Sequence, residues 1–206
     1  MHTGTHLDGA LHCSPGGSDV ASIPLERLVR PGYVVDLSDV AEDWLVVTPD
    51  HVEERLPGPL SEGDALILKY GWQRFGLGNE EEDPDRYFNF HPGPGRELIE
   101  WTLERELAWI GTDAPSFEHP ANINLPTARP DLMPAMTAAV SSSGEDFTPE
   151  TWMLAHRMML QRDVLHVDQA GGDLGLVPNE RVTLGAFPWR YKGGEASICR
   201  LVAITE

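Results

Sequence analysis

The chain has 206 residues, 41% of them hydrophobic and 23% charged, which is typical of one globular domain with a sizeable core. A formal net charge of −18 repels phosphate backbones, so we expect no nucleic-acid partner. No apolar stretch is long enough for a membrane span, and no basic segment followed by an apolar run marks a secretory signal. We therefore expect neither a nucleic-acid nor a membrane partner.

The two cysteines, Cys13 and Cys199, lie at opposite ends of the chain and form neither a disulfide framework nor a CxxC metal motif. A reducing, cytoplasmic location is the default expectation for such a chain. Cys13 follows a histidine, but a lone cysteine there is more typical of a small packing residue than of a nucleophile.

The first predicted feature is a cluster of potential metal ligands in the opening run HTGTHLDGALH. His2, His6, Asp8 and His12 follow one another at spacings of four, two and four. Imidazole nitrogen together with carboxylate oxygen suits Zn²⁺ or Mn²⁺. Two interleaved glycines favour a tight loop over a regular helix. An expression tag or a frayed terminus is the alternative, but a tag is a histidine homopolymer.

This run resembles the His-x-Gly-Thr-His-x-Asp-x-Pro-x-His signature of the metal-dependent cyclase family, which includes bacterial kynurenine formamidases, isatin hydrolases and related amide or lactone hydrolases. Every fixed position matches except the proline, which is Ala10 here. The resemblance implies a swivelling β/β/α architecture with a mixed sheet. Family members usually carry further strands before the motif, so we expect an α/β domain, spanning residues 1–206, that lacks those strands.

Alternating strand and helix patterns follow along the chain and predict an α/β fold. Two helices begin at a Thr-Pro pair, with threonine as the N-cap and proline in the first turn. The predicted strands are 33–37, 65–69, 107–111, 164–168, 181–187 and 197–205, and the predicted helices are 48–56, 95–106 and 148–162.

A long polar segment, 71–94, predicts a functional loop or lid, with a solvated surface loop as the alternative. Its aromatic residues, Trp72 and Phe90 among them, are candidates for the wall of a pocket that binds an aryl substrate; packing of the loop onto the body is the alternative. Asp113 after the third strand is either a site residue or a turn cap. Glu118 is a further potential ligand whose direction the pattern does not indicate.

The downstream half of the site is predicted on a helix and the strand after it. His156 lies on the apolar stripe of helix 148–162 and points inward. Alternation in strand 164–168 places His166 and Asp168 on one face, and a carboxylate there is costly unless it is paired or bound to a cation. His156 and Asp168 resemble the family's downstream His…Glu ligand pair, with aspartate in place of glutamate. Gln169 is the alternative oxygen ligand.

The resemblance implies a metal-dependent hydrolase of a C–N amide bond, linear or cyclic, acting on a small molecule through an activated water. The predicted metal ligands are His2, His6 and Asp8 for one ion, with His12, His156 and Asp168 completing the site or holding a second ion bridged by Asp8. His12 is also the predicted proton shuttle, a role that competes with ligation. A lactone or ester hydrolase and a non-catalytic binding homologue are the alternatives, and a homo-oligomer is implied by the resemblance.

Overall fold

The computed structural model describes residues 1–190 and 192–205. Its strands are β1 (His6–Asp8), β2 (Val29–Asp36), β3 (Val46–Val47), β4 (Ala65–Lys69), β5 (Gly93–Pro94), β6 (Trp109–Thr112), β7 (Leu165–Asp168), β8 (Val182–Pro188) and β9 (Ala196–Ile204). Its α-helices are α1 (Leu25–Leu28), α2 (Pro49–Glu53), α3 (Pro84–Asn89), α4 (Arg96–Glu104), α5 (Leu125–Ala128), α6 (Met133–Ala139) and α7 (Leu154–Leu160).

Seven strands close into a barrel in the order β1-β7-β6-β4-β2-β8-β9. Strands β2, β4, β6 and β7 are mutually parallel, whereas β1, β8 and β9 pair antiparallel with their neighbours. Strands β3 and β5 form a separate two-stranded sheet. The expected mixed α/β architecture is confirmed, and the sheet is closed rather than open.

Alternation along the strands divides the apolar side chains between two cores. One set, which includes Leu7, Ile67 and Val167, fills the barrel. The other set lies between the outer face of the barrel and the helices, where Leu68 of β4 and Ala155 of α7 belong to one cluster. Because successive side chains of a strand point to opposite faces, a polar residue flanked by barrel-core residues must face the helices.

The predicted continuous helix 148–162 is wrong, because the structure breaks it at Met153. A short 3₁₀ turn ends at Thr151, Met153 has a left-handed φ of 50°, and α7 begins only at Leu154. The amide of Met153 donates to the carbonyl oxygen of Asn122 at 2.7 Å, a tertiary contact that overrides the local helical preference. Trp152, which immediately precedes the break, is 49% exposed. The break leaves the first amides of α7 free for other acceptors.

The segment predicted as a long loop contains regular structure of its own. Asp83 caps α3 by accepting a hydrogen bond from the amide of Arg86 at 3.0 Å, and β5 pairs with β3. Within the described part of the chain, no helix is long and apolar enough to cross a membrane.

Candidate metal centre

The predicted ligands converge between the outer face of the barrel and α7. Strands β1 and β7 run antiparallel, with His6 opposite Asp168 and Asp8 opposite His166. Leu7 and Val167, which separate the histidine from the aspartate in each strand, point into the barrel. The four polar side chains therefore share the helix-facing side. His156 reaches the same place from α7. All five side chains are at least 98% buried.

Asp8 is the centre of the cluster, because four imidazoles each present one ring nitrogen to its carboxylate. The distances to the nearer carboxylate oxygen are 3.1 Å from His2 Nδ1, 3.6 Å from His6 Nε2, 3.9 Å from His12 Nε2 and 3.7 Å from His156 Nε2. The structure therefore brings together both halves of the predicted site, the opening motif and His156.

The other nitrogen of each imidazole is held by an acceptor. His6 Nδ1 donates to the carbonyl oxygen of Gly4 at 2.8 Å, and His156 Nδ1 donates to Glu118 Oε2 at 3.1 Å. Glu195 accepts from His2 Nε2 at 3.0 Å through one oxygen and from His12 Nδ1 through the other. An acceptor on the outer nitrogen orients a ligating imidazole and fixes its tautomer. The inner nitrogens are thus directed to the space around Asp8.

Glu118 accepts hydrogen bonds from two backbone amides as well as from the imidazole of His156. It is fully buried, and its two oxygens accept from the backbone amides of Ala155 at 3.3 Å and His156 at 3.2 Å. These are the amides that the helix break at Met153 leaves free. One carboxylate therefore fixes both the start of α7 and the His156 side chain.

The residues fit a divalent metal ion. Neither carboxylate oxygen of Asp8 has a hydrogen bond of normal geometry from any residue that the structure describes, although the side chain is 1% exposed. Among the described residues there are two groups whose potential ligand atoms all lie within 4.8 Å of one another: one is His2, Asp8 and His12, and the other is His6, Asp8 and Asp168. Asp8 belongs to both groups, as the bridging hypothesis requires, but the histidines are divided between them differently from the prediction.

The electrostatics of the cluster are those of two carboxylates confined in one buried space. Burial raises the pKa of Asp168 to about 8, and the negative charge of Asp8 adds to the shift. Burial also raises the pKa of Asp8, but its contacts with the imidazoles of His2, His6 and His156 outweigh burial and lower it. The close approach of its Nδ1 to the Asp8 carboxylate, at 3.1 Å, raises the pKa of His2 to about 9. A proton therefore remains at Asp168 near neutral pH unless a cation replaces it.

Gln169 and Asp113, two further candidate site residues, bond to backbone amides in the structure. Gln169 accepts a hydrogen bond from the amide of Gly4 at 3.2 Å, so its side-chain oxygen holds the opening motif in place. Asp113 accepts from the amides of Tyr70 at 2.7 Å and Trp72 at 2.8 Å, which makes it the cap of the turn after β4.

The predicted substrate-binding aromatic residues pack into the protein body. Trp72 is fully buried, its indole donates to the carbonyl oxygen of Tyr87 at 3.2 Å, and its ring packs edge-on against Phe75. Phe90 is half-buried and stacks on Trp44 with ring centroids 4.7 Å apart. A substrate could contact Trp72 only if the residues that cover its side chain moved away. The structure therefore agrees with the alternative in which Trp72 packs the segment onto the protein body.

Glu195 is the site residue that the sequence did not indicate. It precedes β9, whose first residue, Ala196, lies opposite Asp8, so strand pairing places its carboxylate beside the motif. Its carbonyl oxygen accepts from the amide of Gly9 at 2.9 Å. No local pattern around position 195 predicts this contact between paired strands that are distant in sequence. Burial raises the pKa of Cys13 to about 11, which agrees with a packing role.

Comparison with known proteins gives one family match and relatives that align over nearly all of this chain. The family model for Cyclase, described as "Putative cyclase", matches residues 1–119, more than half of the chain. A kynurenine formamidase of Salinibacter ruber is 27% identical over 201 residues, which are 98% of this chain and 74% of that protein. A kynurenine formamidase of Erythrobacter litoralis is 25% identical over 201 residues, 98% of this chain and 72% of its own.

Solved structures share the fold at lower identity. An isatin hydrolase bound to the product analogue thioisatinate aligns with a TM-score of 0.75 at 20% identity, over 99% of this chain and 72% of its own. Isatin hydrolase A from Labrenzia aggregata aligns with a TM-score of 0.75 at 22% identity, over 100% of this chain and 74% of its own. The fold expected from the opening motif is therefore confirmed.

Proposed function

Because this chain belongs to the Cyclase family, we propose that it is a metal-dependent hydrolase of an amide C–N bond, in a linear formamide or a cyclic amide. The observation that carries the proposal is the convergence of four imidazole nitrogens on the buried, unbonded carboxylate of Asp8. Relatives named kynurenine formamidase support a carbon–nitrogen bond as the target.

The metal would be held by His2, His6, Asp8, His12, His156 and Asp168. This set of imidazole nitrogens and carboxylate oxygens suits Zn²⁺ or Mn²⁺ better than a thiolate-seeking or a pure-oxygen metal. When bound, such an ion supplies a Lewis acid for the substrate carbonyl and lowers the pKa of a water. Two ions are the fuller form of the proposal, because two groups of ligand atoms share Asp8.

We assign to His12 the transfer of a proton between the site and solvent. Its side chain is 21% exposed, whereas the carboxylate that its Nε2 approaches is buried. Glu195 holds the Nδ1 atom, so the imidazole can give or take a proton at Nε2 without turning. Its partial exposure and its fixed orientation support the shuttle role, which competes with metal ligation for the same Nε2.

The substrate would approach from the side of His2, His12 and Glu195, the half-exposed members of the cluster. Ile198 of β9 lies opposite His6 of β1, so both side chains leave the same face of the sheet, and Ile198 is 44% exposed. An apolar surface beside the ligands suits a substrate whose carbonyl is attached to an aryl or other apolar group.

We further propose a cytoplasmic location and a homo-oligomer. Two free cysteines at opposite ends of the chain support a reducing compartment. The resemblance to the family supports the oligomer.

The proposal is tested by metal content and by a substrate panel. Elemental analysis of protein purified without a histidine tag or chelator should give one or two equivalents of zinc or manganese per chain. With that metal, kcat/KM should be higher for N-formyl aryl amines or isatin-like cyclic amides than for lactones and aryl esters. Asp8→Asn should lose both metal and turnover. Asp113→Glu is the control, because it changes a carboxylate outside the cluster, and it should keep the metal.

Each contrary result has a defined meaning. A preference for lactones or esters would show that the enzyme hydrolyses a carbon–oxygen bond, the alternative proposed from the sequence, and not an amide. Failure to bind any metal after reconstitution, in a protein that unfolds cooperatively, would refute the hydrolase and favour the non-catalytic homologue.

A further inference from the structure

Strands β1 and β7 carry the same short pattern, histidine, an apolar residue and aspartate, at positions 6–8 and 166–168. Because the strands are antiparallel, His6 lies opposite Asp168 and His166 lies opposite Asp8. Directly opposed side chains in such a pair have Cβ atoms about 4.5–5.5 Å apart. The four polar side chains therefore form a block on one face of the paired strands, with each histidine opposite the aspartate of the other strand in register.

His166 is the one member of this block to which the opening motif and its downstream pair assign no role. Its side chain is fully buried, and neither ring nitrogen has a hydrogen-bond partner among the described residues. By contrast, His6 donates to Gly4 and Asp168 accepts from the amide of Phe117 at 2.8 Å. A buried polar group without a hydrogen-bond partner is destabilising, so a packing role alone does not account for an imidazole here.

The surroundings of His166 belong to the metal centre on one side and to the apolar core on the other. Its ring lies 4.7 Å from that of His156 and 5.3 Å from that of Phe117, measured between centroids. A leucine or phenylalanine would fill this space without an unbonded nitrogen. The position is thus chemically suited to a group that accepts a lone pair from imidazole.

We propose that His166 is a further ligand of the metal centre, the counterpart of His6 on the opposite strand. The inference rests on the proposed function and extends its ligand set by one imidazole. A ligand set richer in imidazole favours Zn²⁺ or Co²⁺ over Mg²⁺ or Ca²⁺. The ligand is supplied by the strand that also supplies Asp168, so one element fixes both donors at a spacing of two residues.

The test is metal binding by the His166→Leu variant, with His119→Leu as the matched control. His119 is also a fully buried imidazole, but it donates to the carbonyl oxygen of Trp44 and stacks on Phe147, away from the cluster. We expect His166→Leu to lose one equivalent of Zn²⁺ or to bind it at least about tenfold more weakly. The visible spectrum of its Co²⁺ form should also change. His119→Leu should lower stability but keep the stoichiometry, affinity and Co²⁺ spectrum of the wild type.

A measurement on the unchanged protein keeps the inference falsifiable if His166→Leu does not fold. Addition of Zn²⁺ to the ¹⁵N-labelled wild type should shift the ring nitrogens of His166 as strongly as those of His6, whereas those of His119 should not move. Unshifted His166 nitrogens, or a folded His166→Leu with wild-type affinity, stoichiometry and spectrum, would overturn the inference and leave the hydrolase proposal intact. A wild type that binds no metal would overturn both.

Discussion

Glu118→Gln tests whether one buried carboxylate organises the inner half of the metal centre. Glu118 accepts from two backbone amides of α7 and from His156 Nδ1. Glutamine keeps the shape but places an NH₂ group where one of the accepting oxygens was, so a donor faces a donor. Since a hydrogen bond to a charged group contributes about 1.5–3 kcal/mol, we expect the free energy of unfolding to fall by about 2–3 kcal/mol.

The loss should be visible in two assays. Urea unfolding of the metal-free protein measures the loss in the free energy of unfolding. In a thermal scan the same loss corresponds to a fall in Tm of about 4–12 °C for a chain of this size. Competition with a chromophoric chelator reports metal binding, which should weaken about 10–100-fold because His156 loses the acceptor that orients it. The pKa of His156, which burial lowers and Glu118 raises, should fall in the variant.

Glu145→Gln is the control, because Glu145 also accepts a backbone amide, that of Arg96 at the start of α4, at 2.7 Å but in an exposed position. It should cost at most about 1 kcal/mol and leave metal affinity unchanged. Equal stability and equal metal affinity in Glu118→Gln and wild type would refute the reasoning. A loss of stability alone would reduce Glu118 to the cap of α7.

Three further predictions concern the site and its support. His12→Ala should abolish turnover and leave the thermal unfolding midpoint within about 2 °C of wild type; a variant with full activity would exclude the proton shuttle. Asp113→Asn should lower the free energy of unfolding by about 1–3 kcal/mol, because an amide nitrogen then faces one of the amides of Tyr70 and Trp72; urea unfolding unaltered by the substitution would argue against the turn-capping role. Between the ordinary pKa of 3.8 and the raised value of about 8, folded metal-free protein holds a proton at Asp168 that the unfolded chain releases, so its stability should fall as pH rises through this window. Unfolding at pH 6 and pH 8.5 checks the sign, and a metal-free protein that is more stable at the higher pH would contradict it.

The sequence located those parts of the site whose signals are local. The opening motif places His2, His6, Asp8 and His12 within eleven residues, and its spacing survives in the structure because β1 and the turn after it are short. Asp168 was singled out because a carboxylate at the end of an apolar strand is costly unless it is paired or bound to a cation. The spacing of the opening motif and the ligand chemistry of its side chains were readable without the fold, whereas the pairing of Asp168 with His156 was implied by the resemblance to the family.

The parts that the sequence did not locate depend on contacts between distant segments. Glu195 reaches His2 and His12 only because β9 pairs with β1. Glu118 reaches α7 only because the helix begins six residues later than its pattern indicates, after Met153 donates to Asn122. Helix periodicity reports local preference, whereas the start of a short helix also depends on tertiary contacts, such as those of Met153 and Glu118 here.

The register of β1 against β7 connects the apolar core to the metal centre. Leu7 and Val167 lie opposite each other, fully buried in the barrel, and burial of each such side chain contributes about 1.5–3 kcal/mol. A shift of one residue would turn both towards the helices and move histidine and aspartate side chains into the barrel, where they would lack partners. The two middle residues therefore determine that His6, Asp8 and His166 point towards α7. In this fold the ligands are positioned by the hydrophobic residues between them.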